Sequence, residues 1–135
     1  MGFAEFEGVT AAACWETMEN HSTRMEWDAN MAEFRPIVTC TTPSIGKSGS
    51  WHEVCYSKTK FPFPLSARDC VYNKYISLDF EKGIFFCVWR PCTHPDCPKQ
   101  KKVTRSWSYG AQFMFQMPGN KMRVWQAGTG DPKGH

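Results

Sequence analysis

Several signals are missing from this 135-residue chain. It has no run of about 18 apolar residues, so no segment reads as a membrane-spanning helix. The N-terminus carries no apolar signal-peptide core. Met1-Gly2 suggests N-myristoylation, but Phe6 stands where Ser or Thr is wanted. There is no internal repeat and no low-complexity tract. There is no Gly-rich phosphate loop, no G-x-S-x-G and no H-E-x-x-H, so no enzyme class announces itself. A net charge of +3 is too mild to demand a nucleic-acid partner. The 7 cysteines are odd in number and irregular in spacing, which points to reduced thiols in the cytoplasm rather than a disulfide framework.

What the chain does hold is aromatic surface, with 10 Phe and 6 Trp. Its length suits one domain over 1–135 with a real core. Residues 3–8 suggest a short strand. Thr10 is the expected N-cap of a helix over 11–19, with Ala11, Cys14, Trp15 and Met18 on one face. Thr23 and Glu26 suggest a capping box for a second short helix ending at Trp27. From Ala32 onward the pattern is all strand: 34–40, a turn region at Pro43, Gly46 and Gly49, then 51–58, 70–78 and 84–89. The last third reads as a meander over 103–109, 111–117 and 122–126, bent at Gly110 and closed by a Pro118-Gly-Asn120 hairpin. The expected class is α+β: two helices followed by a long antiparallel sheet.

Four blocks carry more specific information. They are Arg24-Met-Glu-Trp27-Asp28, the elbow Phe61-Pro-Phe-Pro-Leu-Ser-Ala-Arg68-Asp69-Cys-Val-Tyr72, the loop His94-Pro-Asp-Cys-Pro98 leading into Val103-Thr-Arg105, and Val124-Trp-Gln126 with Asp131-Pro-Lys-Gly134. In this order they resemble the R-x-x-W-D, P-L-S-x-R-D-x-V-Y, h-P-x-x-P-x-x-x-x-V-R and V-x-Q-x-D-P-x-G motifs of START domains, the StAR-related lipid-transfer modules. The resemblance covers about residues 3–134. It implies a helix-grip fold, a curved antiparallel sheet closing on a helix with a lipid between them. Relative to the family, the resemblance stops short of the N-terminal helix and two strands and of the long C-terminal helix. That implies a fragment or a reduced variant with an unroofed apolar surface, and further domains in a longer parent.

The elbow match puts Cys55 and Lys74 on inward-facing strand positions, where the sterol-binding branch of the family has an acidic and a basic residue. Period 2 then adds Trp51, Glu53, Tyr72 and Ile76, and Phe85, Cys87 and Trp89 on the next strand. Plain core packing fits the same pattern; the resemblance favours a lipid-binding tunnel. With Cys55 in the acidic position, Lys74 is expected to meet Glu53, water or a lipid headgroup, because an unpaired buried lysine is costly. Sterol and phospholipid both stay open. Trp27, Asp28, Arg68 and Asp69 read as structural, the last two fixing the start of a strand. Cys92, His94 and Cys97 give only three local metal ligands, so no zinc is expected. Lys99, Lys101, Lys102 and Arg105 form a basic cluster suited to transient contact with a membrane surface. No interleaving of aromatic and basic residues argues for RNA. The resemblance implies non-catalytic binding of one lipid for transfer or sensing, without a cofactor. The alternatives are a protein-interaction module and a hydrolase on the same fold.

Overall fold

The structure is a computed structural model that describes residues 2–39 and 47–131. Cys40, Pro43, Gly46 and Pro132-Lys-Gly134 lie outside the described residues, as does Met1. Strand β1 (Gly2–Glu7) leads into helices α1 (Ala11–Glu19) and α2 (His21–Trp27). Strands β2 (Met31–Thr39), β3 (Gly49–Thr59), β4 (Ala67–Asp79), β5 (Ile84–Pro91), β6 (Val103–Arg105), β7 (Trp107–Met117) and β8 (Lys121–Asp131) follow. The sheet runs β1-β8-β7-β5-β4-β3-β2, and every pairing along that path is antiparallel. Pro36 sits in β2, an edge strand, beside a break in the β2–β3 register, a position where a sheet tolerates a residue without an N–H.

Helix α1 forms where expected. Thr10 Oγ1 accepts from the Ala13 N–H at 3.1 Å. Ala11 and Trp15 are buried against Ile76, Leu78, Phe85, Cys87, Met114 and Met122, which makes the main core. The cap of α2 differs from the expected capping box. Asn20 rather than Thr23 caps it, accepting from the Thr23 N–H at 3.0 Å, so helix begins directly after α1. A short polar Asn side chain satisfies the same orphan donor, and one extended residue suffices to separate the helices.

The C-terminal third also differs from the expected meander. Strand β7 runs through Gly110 without a turn, and 103–109 is split at Ser106. The split has a cause. Strand β5 ends at Pro91 opposite Tyr72, and the chain returns as β6 in parallel register with Ala67–Asp69, completing the β4 edge that β5 leaves open. Gly110 is needed for close approach instead: a Cβ there would lie 2.6 Å from the Ala127 carbonyl oxygen and 2.7 Å from the Trp89 ring. The hairpin closes as expected, with Gly119 and Asn120 both at positive φ.

The elbow and loop blocks meet on the face away from the helices. Asp69, 1% exposed, accepts from Arg105 Nε at 2.7 Å and from Tyr56 Oη at 2.9 Å. Arg105 also donates to the carbonyls of Cys97 and Pro98, tying down the loop after β5. Asp69, at the start of β4, is thus paired with Arg105 and not with Arg68. Adjacent strand residues face opposite ways, and Arg68 lies over the Phe61 ring and donates to the Ser66 carbonyl. Arg105 thereby leaves the surface basic cluster. Cys97 is buried beside Tyr56 and Val71, with Cys92 against the same cluster. His94 Nδ1 accepts from the Asp96 N–H, and among the described residues no three His, Cys, Asp or Glu side chains converge on a metal-sized site.

Candidate functional site

Helices α1 and α2 cover one face of the sheet but not all of it. Helix α1 seats on the rows of Phe85, Met114 and Cys87. Beyond its end the sheet face stays open, and a cavity of about 280 Å³ remains. Strand residues Tyr72, Lys74, Cys87, Trp89, Ser108, Gln112 and Gln126 line it. Met18, Glu19 and Arg24 from the helices, and Met31 and Phe34 from β2, close the other side.

The R-x-x-W-D block builds that helical wall. Arg24 pairs with Asp28 at 3.0 Å, one helical turn on, and lies over the rings of Trp27 and Phe34. The Trp27 indole N–H reaches back to the Thr17 carbonyl at 3.1 Å. These contacts fold α2 against the end of α1 and set Glu19 over the sheet. Glu19 then meets Lys74 Nζ at 2.6 Å, while Glu53 approaches the same ammonium at 3.5 Å. Cys55 donates its thiol hydrogen to Glu53 at 3.0 Å. The Tyr72 and Phe34 rings flank the ammonium at 5.8 and 5.5 Å.

Burial by itself lowers the Lys74 pKa, but the opposing attraction, led by Glu19, holds it well above the usual amine range. The ammonium is thus charged at neutral pH and shared by two carboxylates. Burial also pushes the thiols up: Cys70 to about 11, and Cys55 and Cys87 further still. These three cysteines are neutral thiols, poor nucleophiles at physiological pH. Alkylation by iodoacetamide at pH 8 should be at least about tenfold slower at each in the folded chain than after denaturation, since reactivity follows the exposed thiolate fraction. Mass-resolved labelling reads this directly, and equal rates in both states would show the cavity wall to be open.

Of the residues expected on the binding face, Tyr72, Lys74, Cys87 and Trp89 line the cavity. Ile76 and Phe85 do not, because α1 fills that part of the face as core, and Trp51 packs against the same core. Glu53 and Cys55 stand behind Lys74 rather than on the wall. Period 2 identifies a face but not how far a helix covers it. Glu19, Arg24, Met31 and Phe34 carried no sequence signal as cavity residues; Glu19 is 55 residues from its partner.

The comparisons agree with this architecture. The START domain family model matches residues 3–122. Mouse StAR-related lipid transfer protein 7, mitochondrial, is 29% identical over 114 residues, covering 84% of this chain and 29% of that protein. Mouse phosphatidylcholine transfer protein is 25% identical over 122 residues, covering 88% of this chain and 52% of that protein. The crystal structure of human STARD10 superposes with a TM-score of 0.83 at 20% identity, over 98% of this chain and 50% of that one, a likeness of fold. The chain thus spans about half the length of these relatives or less.

Proposed function

The chain belongs to the START domain family, and on that premise we propose that it holds one zwitterionic phospholipid for transfer or sensing, with the headgroup in the cavity around Lys74. The charge balance of that cavity carries the reading. Its two lining cations, Lys74 and Arg24, are engaged by three carboxylates, Glu19 on the wall and Glu53 and Asp28 behind it. A purely anionic headgroup would meet cations that are already engaged. A headgroup with a phosphate and an ammonium can exchange partners with both signs, and the Tyr72, Phe34 and Trp89 rings offer faces to the ammonium. The cavity's 280 Å³ is at the small end for ligand pockets, enough for a headgroup but not for acyl chains as well. The expected apolar tunnel is therefore replaced in this reading by a polar headgroup chamber, with the tails extending from it. Their burial supplies most of the affinity, at about 0.8 kcal/mol per CH₂. The similarity to a phosphatidylcholine transfer protein supports the same headgroup.

The role is non-catalytic in this reading: Cys55, Cys70 and Cys87 are held as neutral thiols. Six unpaired cysteines among the described residues support a reducing compartment, the cytoplasm. The elbow is the proposed membrane-facing end. Phe63 is 97% exposed, with Phe61 and Leu65 beside it. The exposed Lys99, Lys101 and Lys102 lie nearby, because Ala67 pairs with Val103 and Ser66 Oγ lies 3.0 Å from Thr104 Oγ1. Aromatic tips inserted among lysines suit an anionic bilayer surface, each lysine contributing about 1 kcal/mol.

The test is mass spectrometry of lipids retained after incubation with mixed phospholipid vesicles and re-purification. One phosphatidylcholine per chain is expected. Gln126 is exposed at the cavity's mouth, so Gln126→Trp should block it and cut retention at least about fivefold with the melting temperature unchanged. Retention of an acidic phospholipid instead, or full retention by the blocked variant, would contradict the proposal.

A further inference from the structure

Strand alternation places Gln112 on the same face of β7 as Met114, which is core beneath α1. Gln112 is itself only 5% exposed, yet it carries an amide where the neighbouring core is apolar. Among the described residues nothing hydrogen-bonds that amide. Nor is it sealed off. Asn73 Oδ1 is the unpaired side-chain atom that the described residues shut away from solvent, whereas the Gln112 amide opens on the cavity it lines. The charged groups around it are engaged: Lys74 with Glu19 and Glu53, Arg24 with Asp28. Ser108 Oγ accepts from the Trp89 indole N–H at 3.2 Å. An amide buried without a partner costs stability, so Gln112 offers a donor that the fold leaves for whatever enters the cavity.

The sheet register locates the part of a lipid that meets this donor. Ile76, Cys87, Gln112 and Gln126 stand side by side across β4, β5, β7 and β8. None of them is charged, Cys87 being held as a neutral thiol. Gln112 lies two strands from Lys74, about 10 Å across the sheet, and two residues further along it, about 7 Å. Its neighbour on β8 is Gln126, at the cavity's mouth. A phospholipid with its headgroup at Lys74 and its tails leaving by the mouth passes Gln112 with the atoms that join the two. Those atoms are the glycerol oxygens and the ester carbonyls. An ester carbonyl accepts hydrogen bonds and cannot donate, so the Gln112 Nε2 group is its complement. A lipid that displaces water from this amide must replace the bond or leave a buried donor unpaired.

We propose that Gln112 donates to an ester carbonyl of the bound lipid and so selects diacyl phospholipids over ether-linked ones of the same headgroup. The selection rests on the headgroup reading above and acts on a part of the lipid that the headgroup does not reach. An ether-linked lipid has no carbonyl at that point and leaves the amide unpaired, and a site built to hydrogen-bond a group rejects the analogue that lacks it.

The test incubates the chain with vesicles holding equal amounts of dioleoyl phosphatidylcholine and its diether analogue, which has the same headgroup and chain lengths. Mass spectrometry of the re-purified chain reads the ratio of the two lipids retained. The parent should favour the diacyl lipid about tenfold, the order expected when loss of one hydrogen bond leaves a buried donor unpaired. Gln112→Met keeps the length of the side chain without its amide and should bring the ratio near one. The ratio compares two lipids in one sample, so it does not depend on how much of the variant is folded. If Gln112→Met fails to fold altogether, the parent's own ratio still decides the matter. Equal retention of both lipids by the parent, or an undiminished preference in Gln112→Met, would overturn the selection and leave the headgroup reading in place. If the parent retains neither lipid, the headgroup reading fails and the selection fails with it.

Discussion

Replacing Asp69 with alanine is expected to destabilise the fold by about 3–5 kcal/mol, the range for removing one partner of a buried ion pair. The reason is what is left behind. Arg105, with its side chain 15% exposed, loses its carboxylate. Tyr56, itself 1% exposed, loses the acceptor for its hydroxyl. Arg105, no longer fixed by a carboxylate, then holds the carbonyls of Cys97 and Pro98 in the loop after β5 less firmly. Such a loss is a large share of the roughly 5–15 kcal/mol that holds a typical domain together. Asp69→Asn should cost less, because it keeps an acceptor for Tyr56 while removing the charge. Urea denaturation monitored by tryptophan fluorescence measures both. A loss below about 1 kcal/mol for the alanine variant, the typical value of an exposed pair, would mean that this network is solvated.

Lys74→Met is expected to be of similar size, with a pH signature of its own. Without the ammonium, Glu19 and Glu53 are left without the cation they share. Burial and mutual repulsion both disfavour two uncompensated carboxylates side by side, a penalty that protonation relieves. A group with a raised folded pKa contributes fully below its unfolded pKa and loses that contribution as pH rises. The variant should therefore be least handicapped near pH 4 and lose about 3–5 kcal/mol relative to the parent at pH 7. In the parent chain the raised group is Lys74 itself. Its contribution is complete below the unfolded lysine value of about 10.4 and disappears only as pH rises through the folded one. Adding Glu19→Gln to Lys74→Met should recover part of the loss at pH 7. A gap between parent and variant that stays constant from pH 4 to pH 7 would show that the carboxylates remain hydrated.

These two residues also mark what a sequence can reveal. Asp69 and Lys74 are both visible within one elbow-and-strand block, because Pro62 and Pro64 interrupt the chain and alternation resumes at once. Their partners are not visible. Arg105 looks like the end of a surface basic run, and only the parallel pairing of β6 with β4 brings it to Asp69. Glu19 ends a helix whose apolar face is legible, yet its reach to Lys74 depends on how Trp27 and Arg24 fold α2 back over α1. Local rules likewise find Thr10 as a cap but misplace the next one, since Asn20 and Thr23 satisfy the same capping chemistry three residues apart. Gly110 illustrates the ambiguity of glycine. The same residue serves a turn or a close approach, and only the Trp89 ring above it decides which.

The central claim is that a phospholipid headgroup occupies the chamber between α1, α2 and the sheet. A crystal structure of the chain with a short-chain phosphatidylcholine tests it most directly. The account predicts the choline and phosphate beside Tyr72, Lys74 and Trp89, with Glu19 still within reach of the Lys74 ammonium and the acyl chains leading out of the chamber. A headgroup bound on the sheet face away from the helices, or at the Phe63 elbow with the Lys74 chamber holding only water, would contradict it.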